Sequence, residues 1–217
     1  IDSSTVLALC VKAFSPNRIV ALLLPEKESS PESARLAQMV ADHYGVQTIT
    51  EDISAVLEGA GCYQRRNEAI LRVFPEYRTG WKAKIVLPGN LLEQKTLNVF
   101  SLIVSSPDGK EFSKRLPLRE YCQIVAASNF KQRTRMAMLY YHAELCNYAV
   151  IGTANKNEHG QGFIVKYGDG GVDVNPIVHL FKTQVYQLAR YLDVPEEIQG
   201  RTPTSDTYSG GSTQEEF

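Results

Sequence analysis

Three features of the sequence predict an α/β fold, doubly wound about a mainly parallel sheet. The first fifty residues read helix, strand, helix, strand, the rhythm of such a fold. The first of these strands, Arg18 to Leu24 (RIVALLL), is apolar after its arginine, as suits a strand covered on both faces. A later stretch, Val150 to Gln184, alternates carboxylates, lysines and glycines after a short apolar strand. Those residue types suit a magnesium nucleotide: lysines for phosphate, hard oxygens for the metal, glycines where backbone comes close.

Taken in order, Ser3 or Ser4 caps a helix from Thr5 to Phe14, whose apolar run packs on a sheet. Pro16 and Asn17 turn the chain into the strand at Arg18. Ser30-Pro31-Glu32 opens the next helix, with proline in the first turn. Leu36, Met39, Val40 and His43 form its buried stripe and Gly45 closes it. Gln47 to Ile53 is a further strand, Tyr63 to Phe74 an arginine-rich helix, and Ala83 to Leu87 an extended segment. Thr96 to Ser105 is rich in β formers, and Pro107-Asp108-Gly109-Lys110 turns it back into Glu111 to Leu116. That hairpin, 96–118 at its widest, breaks the α/β rhythm. It reads either as a lid-like insertion or as an antiparallel edge of the main sheet. A long helix from Phe130 to Cys146 precedes the strand Tyr148 to Ile151, and a last helix runs from Thr183 to Leu192. Residues 1–217 read as a single domain without internal repeats.

Composition narrows the class. A chain of 217 residues with 43% apolar residues can bury its own core. No apolar run approaches the roughly 18 residues of a membrane span, and no signal peptide is visible. A net charge of −1 argues against nucleic acid or an anionic membrane as bulk partner. Cys10, Cys62, Cys122 and Cys146 are scattered without metal-type pairing. Cys10 and Cys146, in apolar surroundings, read as buried free thiols of a cytoplasmic protein. Both ends read as cuts through an ordered domain, with a strand lost before Ile1.

Several residues could carry chemistry. Asp2 and the two serines after it are either the remnant of a phosphate loop or a plain helix cap. Lys131, Arg133 and Arg135 put three cations at a predicted helix start. There they either answer an anion or form a solvated face. Glu158 and Asp173 could hold Mg²⁺, and Lys166 and Lys182 could grip phosphate. The glycine corner Tyr167-Gly168-Asp169-Gly170-Gly171 between them adds weight to that reading. The four histidines lack metal-ligand spacing. His142, the Tyr140-Tyr141 pair and Trp81 read as packing residues.

The segments GTANKNE, KYGDGGVDVNPI, FKTQVYQLARYL and PTSD closely resemble the ammonia-dependent NAD synthetases, members of the N-type ATP pyrophosphatases. Ile1-Asp2-Ser3-Ser4 resembles the tail of that superfamily's SGGxDS loop. Order and spacing match from Asn129 to Asp206, whereas Tyr63 to Ser128 matches poorly. The resemblance implies a Rossmann-like fold of the adenine nucleotide alpha hydrolase type. It implies that Asp2 and Glu158 bind Mg²⁺ and that Ser3 and Ser4 lie beside the pyrophosphate. Thr153, Lys182 and Thr204 would contact ATP; Arg133, Lys166 and Asp173 would contact deamido-NAD. Asp2 and Lys182 would be the catalytic pair. It further implies a homodimer that amidates deamido-NAD through an acyl-adenylate, using ammonia, free or from a separate glutaminase. Some departures stand out. Leu23 precedes Leu24-Pro25 where members often carry arginine, and the family's later His-Lys pair would lie beyond Phe217. The hairpin replaces a region that in the family helps form the dimer and the substrate cleft. Two other readings stay open: amidation or thiolation of a different acceptor, and a nucleotide-binding module without turnover.

Overall fold

The computed structural model describes residues 1–87, 100–202, 204–205, 209–210 and 212–213, with 204–205 and 212–213 by backbone alone. Its described residues form two compact units, Ile1–Ser54 with Gln132–Arg201, and Ala55–Lys131 with Thr202–Phe217.

The first unit begins with α1 (Asp2–Ala13), a 3₁₀ turn at Pro16–Arg18, β1 (Val20–Leu23), α2 (Pro31–His43) and β2 (Gln47–Thr50). Helix α1 starts three residues earlier than Ser3 or Ser4 as caps would require. Both serines are helical, and Ile1 precedes the helix without any side-chain cap. Pro31 sits in the first turn of α2 as expected, since its missing N–H costs nothing there. Leu36 and Val40 are buried, but His43 is exposed, and Ala41 takes its place in the core. Gly45, at φ 67°, makes the left-handed turn into β2. Strands β1 and β2 pair in parallel, Val20 opposite Gln47 and Leu23 opposite Thr50. All four residues of β1 are half-buried, so the expectation of a strand fully covered on both faces is corrected.

The second unit contains α3 (Ser54–Gly59, from its second residue), α4 (Cys62–Val73), β3 (Lys82–Val86), β4 (Ser101–Ser105) and β5 (Glu111–Arg115). The predicted hairpin is β4–β5, antiparallel with Ser105 opposite Glu111, and it pairs with β3 rather than with β1 or β2. The Pro-Asp-Gly turn closes as predicted, with Gly109 at φ 83° donating its N–H to the Ser106 carbonyl at 2.9 Å. The expected β residues Thr96 to Val99 fall outside the described residues. Alternation on β3 and β4 buries Ala83, Ile85, Leu102 and Val104 against Ile70 of α4 and Phe74 just after it. Strand β5 is exposed along its whole length. Its Glu111, Lys114 and Arg115 put charge on the sheet edge, which discourages further pairing.

Helix α5 (Leu118–Cys146) is 29 residues long and contributes to both units. It begins twelve residues before the predicted start. Lys131, Arg133 and Arg135 therefore lie in mid-helix, and the dipole argument for an anion beside them lapses. The chain then returns through the first unit as α6 (Lys156–Gln161), α7 (Lys182–Tyr191) and α8 (Glu196–Gln199). Strands β6 (Thr204–Ser205) and β7 (Ser212–Thr213) form a short antiparallel pair in the second unit. The predicted strand Tyr148 to Ile151 is reduced to extended chain with one parallel bridge, Ile151 to Val174. Of the cysteines, Cys62 is buried and Cys10 half-buried, while Cys146 is exposed, against expectation, as is Cys122.

Packing between α1 and α7 positions two of the predicted site residues. Val6 of α1 meets Val185 and Ile177, and Ala8 lies in a second cluster with Ala189, Leu36 and Val40. The small side chains at Ala8 and Ala189 let the two helices come close, which brings their first residues, Asp2 and Lys182, together.

Candidate active site

Three segments of the first unit converge on one carboxylate. Lys182 Nζ forms an ion pair with Asp2 Oδ2, and Asn155 Nδ2 donates to Asp2 Oδ1 at 3.1 Å. Asn155 in turn caps α6: its Oδ1 accepts from the backbone N–H groups of Asn157 (3.0 Å) and Glu158 (3.1 Å). Glu158 completes a capping box by accepting from the Asn155 N–H at 3.1 Å. Asn157 reaches the other way and accepts from the backbone N–H of Lys182 at 3.0 Å. The start of α6 is also tied back to the approach to α7, because the Lys156 N–H donates to the Leu180 carbonyl at 2.9 Å.

The charge on Lys182 is placed against local preference. A cation at the first position of a helix faces the positive end of its dipole. Asp2 answers it, with side chains only 19% (Lys182) and 16% (Asp2) exposed. An arrangement that a helix alone would disfavour, held by a partner 180 positions away, is the mark of a functional constraint.

Among the described residues, no three of His, Cys, Asp and Glu gather closely enough to form an all-protein metal cage. Asp2 and Glu158, linked through Asn155, are a two-carboxylate set. That set fits Mg²⁺, which keeps waters and takes substrate phosphate oxygens as its other ligands.

A cavity of about 580 Å³ opens in the same unit, within the size range of small-ligand sites. Ser3, Ser4 and Thr153 line it, together with the length of β1. Its wall is mostly apolar and does not include Asp2 or Lys182, so it suits an uncharged, flat group better than phosphates.

The predicted acceptor residues are organised by α5. Arg133 Nε donates to the Lys166 carbonyl at 3.0 Å, and Tyr140 Oη donates to Asp173 Oδ1 at 2.9 Å. Residues 133 and 140 are seven apart, two turns along one helix face. Asp173 Oδ2 accepts from the Val150 N–H at 2.8 Å, so both of its oxygens hold protein groups. Lys166 is exposed, its Nζ 5.0 Å above the Tyr167 ring, and Tyr167 occupies the left-handed region at φ 62°. Thr204 lies in β6, in the second unit, and its side chain is outside the described residues.

Sequence reasoning missed Asn155, Asn157 and Tyr140. Asn-x-x-Glu is a capping-box spacing, so the pattern at 155–158 was available as a signal. Tyr140, read as packing, is instead a hydrogen-bond donor, and Tyr141 is 59% exposed. His142 is buried against Glu51 (2.9 Å), and Trp81 stacks on Phe112, as packing residues should.

The Asp173 carboxylate holds the Tyr140 phenol above its ordinary value of 10.0. A raised value in the folded state means this contribution is complete below about pH 10 and is lost as pH rises through the folded-state value. Tyr140→Phe is expected to lower unfolding stability at pH 7 by about 1 kcal/mol. It should also flatten the alkaline loss of stability, measured by urea unfolding at pH 7 and above pH 10.

The pattern of the NAD synthase family matches residues 1–71 and 92–217. The unmatched stretch, 72–91, lies within Tyr63 to Ser128, where a poor match is expected, and the rest of that region falls inside the matched range. The chain is 51% identical over all 217 residues to the NH(3)-dependent NAD(+) synthetase of Rhizobium meliloti (strain 1021), of which it covers 65%. Identity is 35% over 210 residues to the enzyme of that name from Thermotoga maritima, covering 97% of this chain and 69% of the relative. The chain thus spans about two-thirds of the length of these relatives. Among solved structures, NMN synthetase from Francisella tularensis superposes with a TM-score of 0.64 at 25% identity, over 99% of this chain and 66% of that one. The NH3-dependent NAD synthetase from Campylobacter jejuni gives 0.58 at 25%, over 91% and 62%. These neighbours share the Rossmann-like α/β fold expected from the sequence, and the chain belongs to the NAD synthase family.

Proposed function

We propose that this protein amidates deamido-NAD to NAD with ATP and ammonia, releasing AMP and pyrophosphate. The observation that carries the reading is the meeting of Asp2, Asn155 and Lys182, drawn from three segments, around one carboxylate, with Glu158 tied to Asn155. Similarity to enzymes named NH(3)-dependent NAD(+) synthetase supports it.

The reaction has two steps. An oxygen of the acceptor carboxylate attacks the α-phosphorus of ATP, and the bond from that phosphorus to the bridging oxygen breaks. Pyrophosphate leaves with the electron pair. Ammonia then attacks the acyl carbon, the bond to AMP breaks, and a proton is lost from nitrogen. Lys182 would face the negative charge that grows on the leaving pyrophosphate, and Ser3 and Ser4, next to Asp2 in the chain, would lie beside it. Such catalysis consists of positioning and charge stabilisation. Asp2 and Glu158 would hold Mg²⁺, which when bound neutralises phosphate charge. Thr153 and Thr204 would contact ATP. Arg133 and Asp173 orient the acceptor loop that carries Lys166, whose exposed ammonium meets the acceptor.

The exposed Tyr141 and Leu145 on α5 suit a homodimer contact. The four free thiols suit a reducing compartment, the cytoplasm. Among the described residues no helix is long and apolar enough to cross a membrane. Nitrogen would come from free ammonia or from a separate glutaminase.

A second reading has a smaller acceptor, the mononucleotide acid, favoured by the likeness to NMN synthetase from Francisella tularensis. The deciding assay follows pyrophosphate release with ATP, Mg²⁺ and ammonia, with either nicotinic acid adenine dinucleotide or nicotinic acid mononucleotide. We expect release to depend on the dinucleotide, to stop with EDTA, and to yield one NAD per pyrophosphate. Release with the mononucleotide alone would favour the second reading. Nucleotide binding without release on any acceptor would leave a binding module.

A further inference from the structure

We infer that Asn155 is a positioning residue for the divalent cation: it sets the two carboxylates in register before metal and nucleotide arrive. This rests on the function proposed above. Asn155 is 1% exposed, so it touches no solvent and serves only the groups around it. Besides the bond its carbonyl accepts from the His159 N–H at 3.0 Å, four hydrogen bonds of Asn155 divide in two. Two accepted bonds, from the N–H groups of Asn157 and Glu158, are ordinary capping and fix the first turn of α6. The other two are directed at carboxylates: Nδ2–H to Asp2 Oδ1, and the backbone N–H to Glu158 Oε2.

A cap needs only an acceptor. Serine, threonine and aspartate cap as well as or nearly as well as asparagine. The amide donor is the part that capping does not explain, and its partner is the residue paired with Lys182. Asp2 and Glu158 come from the two separate segments of the unit's sequence and from different helices. Asn155 is the residue that hydrogen-bonds both. Carboxylates at one metal site repel each other, and Lys182 already offsets the charge of Asp2. A neutral amide donating to one, while its own N–H holds the other, steadies the pair without adding charge. Groups of this kind behind metal ligands are worth about 10–100-fold in metal affinity or activity.

The test separates capping from positioning. Asn155→Ser keeps an acceptor at the cap and removes the donor to Asp2. Binding of α,β-methylene-ATP, which cannot release pyrophosphate, is measured by titration calorimetry with and without Mn²⁺, alongside the melting temperature. We expect the serine variant to bind the Mn²⁺ complex 10–100-fold more weakly, and the metal-free analogue within twofold of the parent. In an Asp2→Asn background the same substitution should cost nothing further, because its route through Asp2 is gone. Equal losses with and without Mn²⁺, or an unchanged affinity for the Mn²⁺ complex, would overturn the inference. Should the serine variant fail to fold, Asn155→Thr, another capping residue, carries the same comparison. A parent protein that does not bind the analogue at all would instead remove the proposed function on which the inference stands.

Discussion

Lys182→Ala is expected to slow pyrophosphate release by about 10²–10³-fold, the usual loss when one donor to developing negative charge is removed. Stability should move far less, because two effects oppose each other. The variant strips Asp2 of its ion-pair partner, yet it leaves the Asn155 amide in place and relieves a cation at the positive end of α7. A stopped assay for pyrophosphate and a melting curve on the same preparation give both numbers. Turnover within threefold of the parent would sink the assignment of Lys182 to ATP. Lys182→Arg, which keeps charge but changes shape, should recover little, since a guanidinium does not replace a compact ammonium.

The second large effect concerns stability and belongs to Gly152. A side chain there would run into Asn175 Oδ1 and come within 2.5 Å of Val172 Cγ2. The requirement is one of space rather than backbone angle, since Gly152 is not among the residues at positive φ. Neither neighbour yields easily. Asn175 Oδ1 is already buried without a hydrogen-bond partner, and the Gly152 N–H is engaged with the Val174 carbonyl at 2.7 Å. Gly152→Ala should therefore cost about 2–3 kcal/mol, the overpacking range. That corresponds to a fall of roughly 5–10 °C in melting temperature for a chain of this size. Because Thr153, Ala154 and Asn155 follow directly, the displacement should also raise the nucleotide concentration needed for half-maximal activity. A melting temperature within 2 °C of the parent would show that the 150–155 segment gives way at no cost.

What the sequence disclosed, and what it withheld, follows from the range of each interaction. Helix α2 was legible because its signals are local: Pro31 in the first turn, Leu36 and Val40 one turn apart, Gly45 after the end. The hairpin turn at Pro107-Asp108-Gly109 was legible for the same reason. Asp2 and Lys182 could be singled out as residue types, and the family resemblance gave them roles. Their meeting, however, depends on α1 packing against α7, which no local pattern encodes. The start of α5 was missed because Arg119, Glu120, Gln123 and Ser128 obscure its apolar face. That one error made mid-helix cations look like a helix-end anion site. Tyr140 was taken for packing because a phenol on a helix usually packs. Only its reach to Asp173 distinguishes it. Asn155 went unremarked although the Asn-x-x-Glu spacing was in view, since a cap is commonplace until its spare amide is seen to point at another carboxylate.

The first unit is discontinuous, Ile1–Ser54 and Gln132–Arg201, and this bears on how the protein comes into being. On a ribosome adding about 5–20 residues per second, Asp2 emerges roughly 10–40 s before Lys182. During that interval α1, β1, α2 and β2 exist without Ile177, Val185 and Ala189, the side chains that finish their core. The Asp2–Lys182 pair cannot form early and guide the rest. Contacts between residues so far apart in sequence are made late and slowly. The nascent 1–54 piece must therefore wait with apolar surface open, and it is in that window, rather than in the finished fold, that this chain is most exposed to aggregation.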